Sequence, residues 1–327
     1  MMRLPPFRYF APATLPEAVK VLADYGPAAM VLAGGTDLLP NMKRRQFTPQ
    51  ALVSVQQLKE LRGIRETENG SVIISAGITL HELAAHPLIV SRYPALAQAA
   101  ALISTPQIRN TGTLGGNVCL DTRCNYYNQS YSWRKALGFC LKKDGDICWV
   151  APGSAKCLAI SSSDTAPVLV SLGATFLLVR QGSERLVPAV DFFRDDGINY
   201  LNKDPEELLT EVHLPPPQGT RSTYLKLRRR GSFDFPVLGV AAVLRIEPDG
   251  VCTAAKIVLG AAACKPRVAD NAADMLIGQK VTQALITLVA QEAAKLAKPL
   301  DNTDFAYGYR KRMAEVFVRQ ALTKLAE

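Results

Sequence analysis

Two glycine-rich turns constrain this 327-residue chain more than any other feature. The first, Gly34-Gly35-Thr36-Asp37, follows a short apolar run, Ala29 to Ala33, and leads into a helical pattern that begins at Leu38. The second, Thr111-Gly112-Thr113-Leu114-Gly115-Gly116-Asn117, follows a largely helical stretch, Thr79 to Ile103, broken near Pro87 and Pro94. A strand that meets a glycine turn and then a helix start presents backbone N–H groups with no acceptor of their own, and such groups attract phosphate. Asp37 stands where a helix-capping residue belongs. In the second turn three glycines let the backbone approach a ligand closely, while Thr113 and Asn117 add side-chain donors. Neither turn satisfies G-x-G-x-x-G or a Walker pattern. One such turn is ordinary; two in one chain point to a large anionic ligand gripped from two sides.

Beyond the second turn, four of the seven cysteines fall within 34 consecutive residues: Cys124, Cys140, Cys148 and Cys157, spaced C-x15-C-x7-C-x8-C. Four thiolates suit an iron–sulfur cluster or a structural zinc. Zinc sites usually show paired knuckles of two to four intervening residues, and gaps of 15, 7 and 8 contain none. An odd number of cysteines argues against a complete disulfide framework. The residues themselves leave iron–sulfur, zinc and unliganded thiols open. Cys119, which belongs to the glycine motif, and Cys252 and Cys264, in strand-like sequence, read as packing residues.

The remaining sequence has the makings of a soluble, cytoplasmic protein that binds neither membrane nor nucleic acid. The longest uncharged stretches, Tyr93 to Ile108 and Thr165 to Val179, are 16 and 15 residues, too short to span a bilayer. The opening residues, from Met1-Met2, show no apolar leader. A net charge of +9 is spread over separate clusters, Lys43-Arg44-Arg45, Arg228-Arg229-Arg230 and Arg310-Lys311-Arg312, which read as solvated surface rather than a nucleic-acid face. Thr14 to Leu22 reads as a capped helix with an early proline. Ala51 to Val55, Ser71 to Ala76 and a run ending at Val187 are strand-like. Pro215-Pro216-Pro217-Gln218-Gly219 reads as a linker. After it come three strands, Tyr224 to Arg230, Val237 to Ile246 and Cys252 to Gly260, and two helices, about Val281 to Lys298 and Ala306 to Ala326. Asp164, after three serines, is placed to cap a helix, and Leu208-Leu209 fits a short helix. No acid–base constellation is evident, and His81, His86 and His213 read as structural.

Three ordered motifs carry a resemblance: Val31-Leu32-Ala33-Gly34-Gly35-Thr36-Asp37-Leu38, Ile108 to Asn117, and Ser163-Asp164-Thr165-Ala166-Pro167. Together they resemble the FAD-binding medium subunit of the xanthine oxidase family of molybdenum hydroxylases, over nearly the whole chain. The resemblance implies an α+β chain: a two-subdomain FAD-binding fold (PCMH/VAO-like) followed by a C-terminal domain with an antiparallel three-stranded sheet and helices. The expected divisions are residues 1–57, 58–217 and 218–327, with a cysteine-rich insertion at about 119–160. It further implies that Val31 to Leu38 hold the FAD pyrophosphate and that Thr113, Asn117 and Asp164 contact the cofactor. Leu209 and Lys226 match later FAD-contacting positions, and Ile103 matches a site near the isoalloxazine that some relatives fill with an aromatic.

Asn117 and Asp164 stand 47 positions apart, whereas the family places the two motifs close together. The extra segment holds all four clustered cysteines with Arg123, Tyr126, Tyr127, Trp133, Lys142 and Lys143. A loop of this length without secondary structure is uncommon unless functional or tied down. Medium chains with such an insertion look like the 4-hydroxybenzoyl-CoA reductase branch, which implies a [4Fe–4S] cluster on Cys124, Cys140, Cys148 and Cys157 beside FAD. The implied role is electron relay from a low-potential donor, such as a ferredoxin, to [2Fe–2S] and molybdenum centres on a small and a large partner subunit. An FAD subunit of another molybdenum hydroxylase, a free-standing FAD oxidase and a zinc-stabilised interaction module are the competing readings.

Overall fold

The fold grows from three sheets. A computed structural model describes residues 3–327; Met1 and Met2, where the leader reading begins, lie outside the described residues. The first unit comprises β1 (Arg8–Phe10), α1 (Leu15–Tyr25), β2 (Ala29–Leu32), α2 (Leu38–Lys43) and β3 (Ala51–Ser54). β3 lies between β1 and β2 and runs parallel to both. Parallel neighbours need a crossover, which α2 supplies between β2 and β3. As expected, Thr14 caps α1, its hydroxyl accepting from Glu17 N at 3.4 Å, and Pro16 occupies the first turn.

The second unit holds β4 (Ile64–Glu66), β5 (Val72–Ser75), α3 (Leu80–Ala85), α4 (Pro87–Arg92), α5 (Pro94–Leu102), α6 (Pro106–Arg109) and α7 (Leu114–Val118). Pro87 and Pro94 each begin a new helix, because proline fits a first turn but not a helix interior. After the cysteine segment, which contains α8 (Tyr131–Ala136), come α9 (Thr165–Ser171), β6 (Thr175–Arg180), β7 (Ser183–Pro188), α10 (Ala189–Phe192) and β8 (Leu208–Leu214). The sheet order is β4-β5-β8-β6-β7, every neighbouring pair antiparallel. Phe176, Phe192 and Phe193 meet edge to face beneath it, with centroids 4.8–6.3 Å apart. Leu208 and Leu209 begin a strand rather than the expected short helix. β8 pairs on both sides, so its backbone groups are satisfied by the ladder, and that tertiary pairing overrides local preference.

The third unit has β9 (Arg221–Leu227), β10 (Leu238–Ile246), β11 (Cys252–Gly260), β12 (Arg267–Val268), α11 (Asp270–Asp274), α12 (Gln283–Ala294) and α13 (Tyr307–Ala326). The three expected strands pair antiparallel, and the two-residue β12 adds a fourth at the β11 edge. α12 and α13 bury an apolar face against this sheet through Ile286, Val289, Val318 and Leu322. One expectation fails here: Arg310 is not solvated surface. It is buried on α13, donating to the carbonyls of Val237, Leu300 and Ala261 at 2.9–3.1 Å. Cys252 and Cys264 are buried. Among the described residues no helix is long and apolar enough to cross a membrane.

Candidate functional site

The two glycine turns meet. A Cβ on Gly34 would lie 2.1 Å from the Thr111 carbonyl oxygen, so only glycine lets the first turn touch the second. Gly35 follows with φ +70°, the left-handed geometry that turns β2 into α2. Behind the contact opens a cavity of about 360 Å³, within the size range of small-molecule sites. Val31, Ala33, Gly34, Gly35, Thr36, Asp37 and Leu38 line it from the first turn, Thr113 and Asn117 from the second, and Ile103, Asp164 and Leu209 from elsewhere. Leu32 and Lys226 do not line it. Leu32 packs beneath Gly35, and Lys226 stands behind Asp164.

Asp37 occupies the helix-capping position without capping. Its carboxylate instead accepts from Arg123 at 3.0 Å and from the Asn41 side chain at 2.9 Å. Burial raises its pKa, and the Arg123 guanidinium opposes the shift. Arg123 in turn stacks on the Phe235 ring, 3.8 Å from its centroid. In this way the root of the cysteine segment is tied to the first turn and to the loop before β10.

The second turn and the Ser-Asp motif are also joined. Asn117 Oδ1 accepts from Ser163 Oγ at 2.8 Å, from Thr165 Oγ1 at 2.7 Å and from Thr165 N at 3.2 Å. Asp164 does not cap α9; Ser163 does, accepting from Ala166 N at 3.0 Å. The Asp164 oxygens accept from Tyr224 Oη at 2.9 Å and from Lys226 Nζ at 3.0 Å, both partners on β9. Burial raises the Asp164 pKa and lowers that of Lys226, and the ion pair opposes both shifts. Lys226 also donates to the Leu102 carbonyl, fixing the chain just before Ile103.

The four clustered cysteines converge as well. All are 5–8% exposed and unpaired, and together they line a cavity of about 10 Å³, the room of roughly one water. The segment's neck is closed by reciprocal backbone hydrogen bonds between Arg123 and Ile160. Gly197 lies so close that a Cβ there would stand 2.6 Å from Cys157 Sγ. Backbone N–H groups of Tyr126 and Tyr127 approach the Cys124 sulfur, and that of Ala159 approaches Cys157. Burial nevertheless pushes the two thiols up to about 12 and about 11. Among the described residues no group of three or more His, Cys, Asp or Glu is arranged tightly enough to hold one metal ion. Cys119 lines the large cavity instead, and none of the three histidines does.

Several residues of the large cavity carried no local signal. Asp121 follows the second turn by four residues with no motif to mark it, and Tyr200, Lys203 and the Phe233-Asp234-Phe235 loop reach the cavity only because the chain folds back from distant positions. Arg44, within a cluster expected to be solvated, lines it too.

Residues 5–217 match the family described as FAD binding domain in molybdopterin dehydrogenase. Residues 222–325 match the CO dehydrogenase flavoprotein C-terminal domain. The chain is 31% identical over 319 residues to the carbon monoxide dehydrogenase medium chain of Hydrogenophaga pseudoflava, covering 97% of this chain and 96% of that one. It is 33% identical over 285 residues to the aldehyde oxidoreductase FAD-binding subunit of Escherichia coli, covering 84% and 87%. The structure of reconstituted CO dehydrogenase from Oligotropha carboxidovorans superposes with a TM-score of 0.81 at 28% identity, covering 99% of each chain.

Proposed function

The chain belongs to the FAD-binding medium subunits of the molybdenum hydroxylase family, and from that premise we propose that it is the FAD and [4Fe–4S] electron-transfer subunit of a reductase of the 4-hydroxybenzoyl-CoA type. The observation that carries the finer reading is the convergence of Cys124, Cys140, Cys148 and Cys157 on one buried point beside the large cavity. Their donor set, four sulfurs with N–H groups directed at two of them, suits an iron–sulfur cluster. Seating one requires the four sulfurs to move apart from the space of about one water that they enclose. The large cavity suits FAD: glycine backbone at Gly34 and Gly35, and polar groups at Thr113 and Asn117.

When bound, the two groups supply electron transfer between a low-potential donor, such as a ferredoxin, and [2Fe–2S] and molybdenum centres on a small and a large partner subunit. There hydrogen would replace the phenolic hydroxyl of 4-hydroxybenzoyl-CoA, which leaves as water, with two of the relayed electrons and two protons consumed. The residues of this chain bind and orient. Gly34 and Gly35 admit the pyrophosphate, Asn117 joins the second turn to the Ser163–Thr165 motif, and Asp164 with Lys226 fixes the wall beside Ile103. The second reading is a medium subunit of an oxidative molybdenum hydroxylase, favoured by its likeness to carbon monoxide and aldehyde oxidising relatives.

Anaerobic purification with iron, sulfide, zinc and flavin analysis separates these readings. The expected result is one FAD with about four iron and four sulfide per chain, as a four-thiolate cubane requires. Flavin with neither iron nor zinc supports the second reading, and zinc without iron overturns the cluster.

A further inference from the structure

Lys142 lies between Cys140 and Cys148 in sequence, yet its side chain points away from solvent and is only 5% exposed. Its Nζ reaches three oxygens: Asp121 Oδ1 at 2.7 Å, Thr122 Oγ1 at 2.6 Å and the Gly197 carbonyl at 2.5 Å. That set uses all three ammonium donors. The rings of Tyr127 and Tyr200 flank it, their centroids 4.8 and 5.3 Å from the nitrogen. The placement of four of these residues is telling. Lys142 and Tyr127 line the thiol cavity, whereas Asp121 and Tyr200 line the large cavity. The Lys142–Asp121 pair is therefore the wall the two cavities share. Asp121 Oδ2, the other oxygen of the pair, is buried with no hydrogen-bond partner.

We infer that Lys142 and Asp121 are positioning residues for electron transfer, a fixed dipole in the common wall with its positive end toward the thiols and its negative end toward the flavin cavity. The inference rests on the reading that a cluster and FAD occupy these two cavities. In a buried, low-dielectric wall each charge is felt far more strongly than in water. Adding an electron to a carrier adds negative charge, so a nearby cation favours reduction and a nearby anion opposes it. Lys142 thus raises the potential of the group at the cysteines, and Asp121 lowers that of the flavin. The pair narrows the difference between the two carriers and keeps transfer between them reversible. A pair that served only to pin the insertion to Thr122 and Gly197 would have no such signed effect.

The test is a redox titration of the full-length chain, reading iron–sulfur and flavin absorbance separately, for wild type, Lys142→Met, Lys142→Arg and Asp121→Asn. Lys142→Met, which leaves Asp121 uncompensated, is expected to lower the reduced-to-oxidised ratio of the iron–sulfur centre about tenfold at fixed potential, about 59 mV for one electron. Asp121→Asn, which leaves the ammonium uncompensated, is expected to raise the flavin ratio, a shift of opposite sign. Lys142→Arg keeps the charge and stays near wild type. Shifts of the same sign in Lys142→Met and Asp121→Asn, or none with both groups retained, overturn the inference. Should Lys142→Met fail to fold, the Asp121→Asn shift and the Lys142→Arg control decide it. A wild-type chain with flavin but no iron sinks the cluster reading alone, and the flavin shift in Asp121→Asn still tests the negative end of the dipole.

Discussion

Lys226 is held by oxygens that the chain brings from far away, the Asp164 carboxylate and the Leu102 carbonyl, and it is almost entirely buried. A buried ion pair broken from one side leaves an uncompensated charge, which typically costs about 3–5 kcal/mol. Lys226→Met is expected to lower stability by that order in urea denaturation. The double variant with Asp164→Asn should regain much of the loss, because no charge is then stranded. If the single variant unfolds at the wild-type urea midpoint, the pair does not hold the wall beside Ile103. At this scale the sequence was only partly legible. Ser163-Asp164-Thr165 resembles a helix start, and capping is a local interaction that spacing reveals. The true partners of Asp164 lie on β9, 60 and 62 positions away, and no local pattern announces them.

α13 shows how one residue anchors an element. Its 20 residues end in a largely polar surface, but Arg310 turns inward and donates to the carbonyls of Val237, Leu300 and Ala261. Burial lowers the Arg310 pKa to about 10, still far above neutrality, so the guanidinium remains charged and donates from every nitrogen. Arg310→Met leaves three carbonyls without this donor; at about 1–3 kcal/mol for each buried group left unsatisfied, a loss of several kcal/mol is expected in thermal unfolding. Hydrogen exchange would place that loss in α13 and β10 first. An unaltered melting temperature would show that the carbonyls find other donors. The helix itself was readable from its periodicity to within a residue, as were β10 and β11, whereas β9 begins and ends three residues earlier than expected and α1 runs three residues further. Arg310 and β8 were not, because Arg-Lys-Arg looks solvated and Leu-Leu looks helical until neighbours from elsewhere surround them.

Asp195 connects three regions of the whole molecule. It accepts from Lys156 of the cysteine segment at 2.9 Å and from Arg267 of β12 at 3.0 Å, while its own backbone belongs to the second unit. Burial alone would raise its pKa, but Lys156 and Arg267 outweigh that and hold the carboxyl below its ordinary value. With the folded value below the unfolded one, near 3.9, the link contributes fully above about pH 5 and is lost as pH falls through the folded value. Melting temperatures of wild type and Asp195→Asn should therefore differ at neutral pH and converge in acid. A gap that persists unchanged in acid would show that the charge is not what joins the regions. Helices with caps and periodicity, the glycine turns, the family and the unusual cysteine segment are legible from residue order alone, because each is a local pattern of neighbouring residues. That the two turns touch, that the four thiols meet, and that Lys142 and Asp121 share a wall between two cavities emerges only in the folded molecule. Those contacts join residues tens of positions apart, and their energy comes from burial and charge in the packed molecule, which no stretch of sequence contains.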